Sequence, residues 1–332
     1  MSAGGAEQLS FESVAGEAPE PEPIVSAFPP TPEQAAAIDS RGRDVFLEAG
    51  AGTGKTRVLV DRYCDSVDLD GVEPAQILAF TFTEKSAAEM RRRVRVELAR
   101  RAREAGDGER RDRLAAAARA GESAPITTIH GFCRRMLSSY PEAAGLDPRF
   151  RVLDADESAR IAALALEAAI TDLAESDDDV ARLAAGYRDR LGPIVRAAYG
   201  DLRNRGRARP ELPPLQLNAF DSEDEAPDPR EIELATASWE ALRRVLEAFA
   251  ERYAAAKDER SGVDFDDLQL VALELLRRSP AIAGIYRERY EHLLVDEFQD
   301  TSPIQVELIR SIAGPAARVF ACLLYTSDAA DE

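Results

Sequence analysis

Gly50, Gly52 and Gly54 stand at alternate positions in DVFLEAGAGTGKT (residues 44–56), and Lys55 and Thr56 follow at once. Glycines spaced in this way let several backbone N–H groups converge on one anion. A helix opening near Lys55 would turn its partial positive charge and free amides toward the same point. The lysine then adds a cation for β- and γ-phosphate oxygens, and the Thr56 hydroxyl can hold Mg²⁺. Ala49, Gly50, Ala51, Gly52, Thr53, Gly54, Lys55, Thr56 and Arg57 are therefore read as a phosphate-binding loop for ATP. Ala49 occupies the place where such loops usually open with glycine, a small departure because Gly50 and Gly52 still permit close approach.

A second chemical pair lies far downstream. His292–Leu293–Leu294–Val295 reads as a strand, and Asp296 and Glu297 close it. Two carboxylates ending an apolar strand, downstream of a phosphate loop, suit nucleotide hydrolysis. Asp296 would face Mg²⁺ and Glu297 would orient or deprotonate the attacking water. Gln34 sits in the first turn of a helix expected from Thr31 and Pro32. Its amide can pair with both edges of adenine, or it is a solvated helix-start glutamine. Phe82 and Thr83 follow the expected strand Ile77–Phe82, at the carboxyl edge where α/β ligands bind, and an exposed aromatic there can stack on a base. His130 follows the expected strand Ile126–Ile129 and is read either as a structural histidine or as a nucleic-acid contact.

The elements that must position these residues alternate. Val45–Leu47 forms a buried strand, Val58, Leu59 and Tyr63 give helical spacing, and Ala87, Met90, Val94 and Leu98 bury one face of a second helix. Arg91, Arg92, Arg93 and Arg95 leave that face, as a solvated helix surface would. Phe132, Met136 and Leu137 mark a third helix. From about Asp154 to Asp258 the alternation gives way to alanine-, arginine- and acid-rich helical text, broken by a loop over Gly206–Arg230. The pattern resumes with a helix burying Leu268, Val271, Leu275 and Leu276, and Ile304, Leu308 and Ile312 mark another before a short strand over Ala317–Ala321.

The chain of 332 residues exceeds the usual single-domain range, and its formal net charge is −19. Only three residues are lysine. This acidity matches a salt-loving organism and moves the weight of any charge argument from the total to local surfaces. Residues 1–27 carry glutamate and proline without a basic residue, the composition of a disordered acidic tail. Cys64, Cys133 and Cys322 form no CxxC pair, which suits a reducing cytoplasm and indicates neither a zinc site nor a disulfide framework. No apolar run approaches membrane-spanning length, so no membrane partner is expected.

AGAGTGKT, ILAFTFTEKSAAEM, TTIHGFCRRML and LLVDEFQDTSPIQ resemble, in order and spacing, the first motifs of superfamily 1 DNA helicases of the UvrD/Rep type. DEFQDT, TIHGFC and GLDPRFRVLD look closest to the RecB/AddA-like helicase–nuclease branch. The resemblance implies an α/β fold, a RecA-like P-loop NTPase core with a parallel sheet and an inserted helical subdomain. The corresponding division is 28–153 and 259–321 for the two parts of the ATPase domain and 154–258 for the insertion that grips DNA beside it. It implies Gln34 at adenine, Lys55 and Thr56 at the phosphates, Asp296 and Glu297 at Mg²⁺ and water, and Phe82, Thr83 and His130 toward single-stranded DNA. Glu84 stands where many relatives have Asn, which puts a polar DNA contact there in doubt.

Such relatives continue with a Gly-Asp…Gln element and a second RecA-like domain whose arginine completes the ATP site. Here the text becomes CLLYTSDAADE, so residues 322–332 are expected to be a non-native or disordered end and the chain an N-terminal fragment. The leading expectation is the motor portion of an ATP-dependent DNA helicase acting on single-stranded or duplex-junction DNA in recombination or repair, with a nuclease or second helicase subunit as partner. The alternatives are a nucleotide- or DNA-binding fragment without turnover, and a P-loop ATPase that never meets DNA.

Overall fold

The computed structural model describes residues 30–50, 54–106, 108–215 and 228–324. The expected tail, the loop tip at Ala51, Gly52 and Thr53, and the end beyond Leu324 lie outside these residues.

Five parallel strands form the main sheet: β1 (Val45–Ala49), β2 (Ile77–Phe80), β3 (Ile126–Thr127), β6 (His292–Val295) and β7 (Arg318–Leu324), in the order β1-β7-β6-β2-β3. Strands β2 and β6 are buried along their whole length because helices cover both faces. One layer comprises α1 (Pro32–Asp39), α2 (Lys55–Asp68), α3 (Glu84–Glu104) and α4 (Glu109–Ala120), packed on Ile77, Ala79, Leu294 and Phe320. The other comprises α5 (Ile129–Ser139), α6 (Pro141–Ala144), α11 (Phe265–Arg278), α12 (Pro280–Arg289) and α13 (Pro303–Ile312), packed on Leu78, Phe80, Leu293 and Val295. The α/β core with a parallel sheet is as the sequence pattern indicates.

Between the two halves of this core come α7 (Ala155–Ala174), α8 (Asp178–Tyr187), α9 (Leu191–Asn204) and α10 (Pro229–Asp258), which share their own apolar cluster around Leu166, Val195, Leu246 and Phe249. A small parallel sheet joins the ends of this helical segment: β4 (Arg151–Val152) pairs with β5 (Gly262–Val263). Beside it, the buried Lys257 ammonium lies 2.6 Å from both Asp264 and Asp267, and Arg203 also bonds Asp267. Burial alone would raise the Asp264 carboxyl, but Lys257 and Arg203 hold it below the ordinary range. Charges this buried are tolerated only when paired.

Several local expectations change. Phe46 is 62% exposed rather than buried, because β1 is an edge strand; the Phe298 ring packs edge-on against it, 5.7 Å away. Strand β2 stops at Phe80; the Thr81 amide still donates to the Thr127 carbonyl at 3.1 Å, while its hydroxyl donates to the Thr83 carbonyl. Strand β3 stops at Thr127 because Thr128 caps α5, which places His130 in a helical first turn. Helix α10 starts at Pro229, capped by Asp228, so Arg230 is helical rather than part of the loop. Val271 is half-buried while Leu270 and Leu273 join the core. Strand β7 runs three residues past Ala321, and Cys322–Leu324 pair in register with Leu47–Ala49.

Candidate functional site at the carboxyl edge of the sheet

The chemically able residues gather where the strands end. Gly54 has φ +93°, a left-handed conformation suited to glycine, and it opens α2 directly after the loop. Its carbonyl accepts from the Arg57 and Val58 amides, starting the helix with Lys55 at its first position. Lys55 is only 8% exposed, and its Nζ donates to Glu297 Oε2 at 3.2 Å. Thr56 is half-buried in the same turn, and Arg57 bonds Asp61 one turn on at 3.3 Å.

Asp296 leaves β6 with its amide bonded to the Phe80 carbonyl at 2.9 Å, so the sheet itself fixes its place. Burial, and then the neighbouring Glu297 charge, raise its carboxyl above the ordinary range despite Lys55. Glu297 has φ +51°, which a non-glycine residue adopts at a cost of order 1–3 kcal/mol. The turn is held by Asp296 Oδ1, which accepts from the Glu297 amide at 3.1 Å, and by Gln299 Nε2, which donates to Glu297 Oε2 at 2.7 Å. Two adjacent carboxylates, one of them poorly solvated, form an oxygen donor set that a Mg²⁺ ion would relieve, so these residues fit that ion. Among the described residues no cluster of three or more His, Cys, Asp or Glu is arranged for a metal, and Mg²⁺ ordinarily takes only one or two carboxylates together with phosphate oxygens.

Gln34 lies in α1 but its side chain works locally: Oε1 accepts from the Thr31 amide at 3.0 Å while Thr31 Oγ1 accepts from the Gln34 amide. That capping box engages the acceptor an adenine edge would use. Sequence reading missed the buried Arg62, which positions α1. It donates to the carbonyls of Ala37 at 2.6 Å and Ser40 at 3.0 Å, and its guanidinium lies 4.5 Å over the Phe320 ring. Burial, with the nearby Arg41 charge, lowers its pKa to about 10. A lone arginine within an otherwise apolar helix face is the signal that could have found it.

Two loops along, Phe82 is 70% exposed at the mouth between β2 and α3. Thr83 caps α3, its Oγ1 accepting from the Ser86 amide at 3.0 Å. Glu84 reaches sideways, accepting from Thr128 Oγ1 at 2.6 Å, and Thr128 in turn accepts from the Gly131 amide at 3.0 Å. His130 stands edge-on to Phe265, with centroids 5.5 Å apart, and its Nε2 accepts from Gln269 Nε2 at 2.9 Å. Burial lowers the His130 pKa, favouring the neutral ring that can accept this bond. Phe265 is 48% exposed, so a second aromatic shares the rim with Phe82 and His130. Neither Phe265 nor Gln269 stood out in the sequence, because they open a helix more than a hundred residues downstream. The structure thus gathers Lys55, Thr56, Asp296 and Glu297 at one edge and lines the adjoining edge with Phe82, Thr83 and His130.

The UvrD/REP helicase N-terminal domain family matches residues 30–323. A protein of Mycobacterium tuberculosis (strain ATCC 25618 / H37Rv), named ATP-dependent DNA helicase UvrD1, is 32% identical over 284 residues, 85% of this chain and 30% of its own length. DNA helicase II of Escherichia coli (strain K12) is 29% identical over 290 residues, 86% of this chain and 32% of its own. A probable DNA helicase II homolog of Mycoplasma capricolum is 27% identical over 278 residues, 84% of this chain and 31% of its own. The chain therefore spans about 30% of the length of the curated relatives it matches. With the match extending across both halves of the core and the helical segment between them, the chain belongs to the UvrD/REP helicase family and carries its N-terminal domain.

Proposed function

We propose that this chain is the ATP-binding portion of a DNA-translocating motor. Lys55 contacts the nucleotide phosphates, Thr56 and Asp296 hold Mg²⁺, and Glu297 orients the water that attacks the terminal phosphoryl group. The observation that carries this reading is the meeting of Lys55 and Glu297 at 3.2 Å across 242 positions of sequence. Bound Mg²⁺ neutralises charge that develops on the phosphoryl oxygens. Glu297, fixed by Gln299, is placed to accept the water's proton, and Lys55 moves from Glu297 to phosphate when nucleotide enters. Gln34 reads adenine once its Oε1 gives up the Thr31 amide.

Single-stranded DNA lies along Phe82, Thr83 and His130, with bases stacked on the exposed aromatic ring. Residues 28–153 and 259–321 are the two parts of one RecA-like domain, and 154–258 are the helical subdomain inserted between them. The whole protein is a cytoplasmic ATP-dependent helicase of repair or recombination, acting on single-stranded or duplex-junction DNA. A nuclease or second helicase subunit is the partner that the DEFQDT and TIHGFC wording suggests. Among the described residues no helix is long and apolar enough to cross a membrane.

Turnover requires more than this site. An arginine from across a domain cleft typically contributes on the order of 10³–10⁵ in rate, and the family resemblance puts it in a second RecA-like domain. Residues 1–332 are therefore expected to bind a Mg²⁺-ATP analogue with negligible DNA-stimulated hydrolysis. Titration of a fluorescent ATP analogue into the chain and its Lys55→Ala variant tests the site. Loss of binding in the variant supports it, and equal affinity refutes it.

A further inference from the structure

Two cations of the helical segment meet two carboxylates of the core. Lys257 of α10 and Arg203 of α9 are 3% and 7% exposed, while Asp264 caps α11 and Asp267 sits in its first turn. Lys257 Nζ donates to both carboxylates at 2.6 Å, Arg203 bonds Asp267, and Asp264 lies 3.9 Å from Arg203. Both cations are seated from their own side. Lys257 lies 4.2 Å from the centroid of the Tyr253 ring and Arg203 5.4 Å from that of Tyr199, and both rings pack in the cluster of the helical segment. The charges balance, two of each sign, which makes such a group tolerable away from water.

The same turn of α11 carries part of the rim. Phe265 follows Asp264 directly and stands edge-on to His130. Gln269, 3% exposed and two residues after Asp267, donates to His130 Nε2 at 2.9 Å. Apolar burial holds α11 from Leu268 onward, but between Val263 and Leu268 no apolar side chain is buried. The cap and the ion pairs therefore fix that turn. A buried ion group adds little stability that a well-packed apolar group of similar volume would not, and its best-attested use is to specify one geometry. Gln269 also acts on the ring it holds, because a neutral imidazole that accepts at Nε2 carries its proton on Nδ1.

We propose that Lys257 and Arg203 are positioning residues for the single-stranded DNA rim: through Asp264 and Asp267 they fix the first turn of α11, and with it the place of Phe265 and the orientation and tautomer of His130. The helical segment thereby sets the geometry of a rim whose named residues all lie outside it. The consequence for DNA rests on the reading of His130 as a nucleic-acid contact, whereas the positioning itself is measurable without DNA.

The test uses the full chain and two paired variants, Arg203→Met/Asp267→Asn and Lys257→Met/Asp264→Asn. Each removes one charge of each sign, leaves the other ion pair, and keeps a side-chain oxygen for the α11 cap, so neither strands a buried charge. His130 and His292 are the only histidines, so nitrogen spectra of ¹⁵N-histidine-labelled protein resolve both, and the His292 signals report an intact sheet. Gln269→Met defines the released ring. Both paired variants should move the His130 nitrogen shifts toward those of Gln269→Met, away from the pure Nδ1–H form, with His292 unmoved. They should bind a fluorescein-labelled oligothymidylate about fivefold more weakly, the lower end for losing one base–aromatic stack, and bind an ATP analogue as the parent does. His130 shifts equal to the parent's in both paired variants overturn the proposal, even where the melting temperature falls. So does parental oligothymidylate affinity in both when His130→Ala loses affinity. Affinity unaltered in His130→Ala refutes the DNA reading instead, and the nitrogen shifts still decide the positioning.

Discussion

The ammonium of Lys55 and the carboxylate of Glu297 form an ion pair at 3.2 Å, with the lysine side chain 9% and the glutamate 31% exposed. On the proposed reading, Glu297 holds the cation that a nucleotide phosphate would claim. On that reading incoming nucleotide would break this pair, while Gln299 would still hold Glu297 in place. Glu297→Gln should therefore tighten binding of an ATP analogue while removing the base. A partly exposed pair contributes up to about 1 kcal/mol, so the gain should be up to about fivefold. Analogue titration checks it; weaker binding would mean that Glu297 helps organise the nucleotide site.

Asp296→Asn should stabilise the chain when Mg²⁺ is absent. Burial, then the Glu297 charge, raise the Asp296 pKa, so ionising this group costs the folded state more than the unfolded one. Stability from this group is full below the unfolded carboxylate pKa and is lost as pH rises through the folded value. Asparagine removes that loss at neutral pH. A melting-temperature rise on the order of 2 °C is expected if about 1 kcal/mol is recovered, together with loss of the Mg²⁺ dependence of analogue binding. A lower melting temperature would show that the carboxylate stabilises the turn instead.

Phe82→Ala should weaken single-stranded DNA binding by about 1–3 kcal/mol, the range for losing one base–aromatic stack. The ring is 70% exposed, so the variant should melt as the parent does. A marked drop in melting temperature with unchanged DNA affinity would assign Phe82 to packing.

The strong periodicities made most of the core legible. Ala87, Met90, Val94 and Leu98, and later Ile304, Leu308 and Ile312, are buried as their spacing indicates. That Lys55 and the Asp296–Glu297 pair meet at one edge of the sheet was also legible, because strand ends are local signals. Phe46 misled because an apolar tripeptide does not reveal whether its strand is central or at an edge. Gln34 and Glu84 were partly opaque for another reason. Their bonds to Thr31 and Thr128 depend on which side chains arrive nearby, and in the case of Glu84 the partner lies 44 residues away.

Acid should loosen the fold through His292. This histidine is 6% exposed on β6, and its buried Nδ1 has no hydrogen-bond partner among the described residues. Burial, then the Arg62 charge, lower its pKa to about 4, with Arg318 and Arg41 adding to the effect and Asp70 opposing it. A depressed folded pKa means stability that is present above the unfolded value near 6.5 and lost as pH falls toward about 4. His292→Leu should flatten the decline in denaturant midpoint across that window, leaving a smaller slope from His130, whose pKa is also lowered. A slope identical to the parent's would place the acid sensitivity elsewhere.

Gly131 should tolerate no side chain, because the link between the loop carrying Phe82 and Thr83 and the one carrying His130 passes through its space. A Cβ there would lie 2.7 Å from Thr127 Oγ1, 3.0 Å from Glu84 Oε1 and 3.1 Å from Thr128 Oγ1. The last two atoms belong to the bridge in which Thr128 donates to Glu84 and accepts from the Gly131 amide. Gly131→Ala must push Glu84 or Thr128 aside, and overpacking of this kind typically costs about 1–3 kcal/mol. Glu84 begins the helix that follows Phe82 and Thr83, so its displacement should also weaken single-stranded DNA binding. Glu84→Gln separates the two effects: its amide oxygen still accepts from Thr128 and no Cβ intrudes. Near-parental melting temperature and DNA affinity are expected for Glu84→Gln, reduced DNA affinity for Glu84→Ala, and loss of both for Gly131→Ala. Equal DNA affinity in Glu84→Ala and the parent would show that the bridge stabilises the fold without setting the loop.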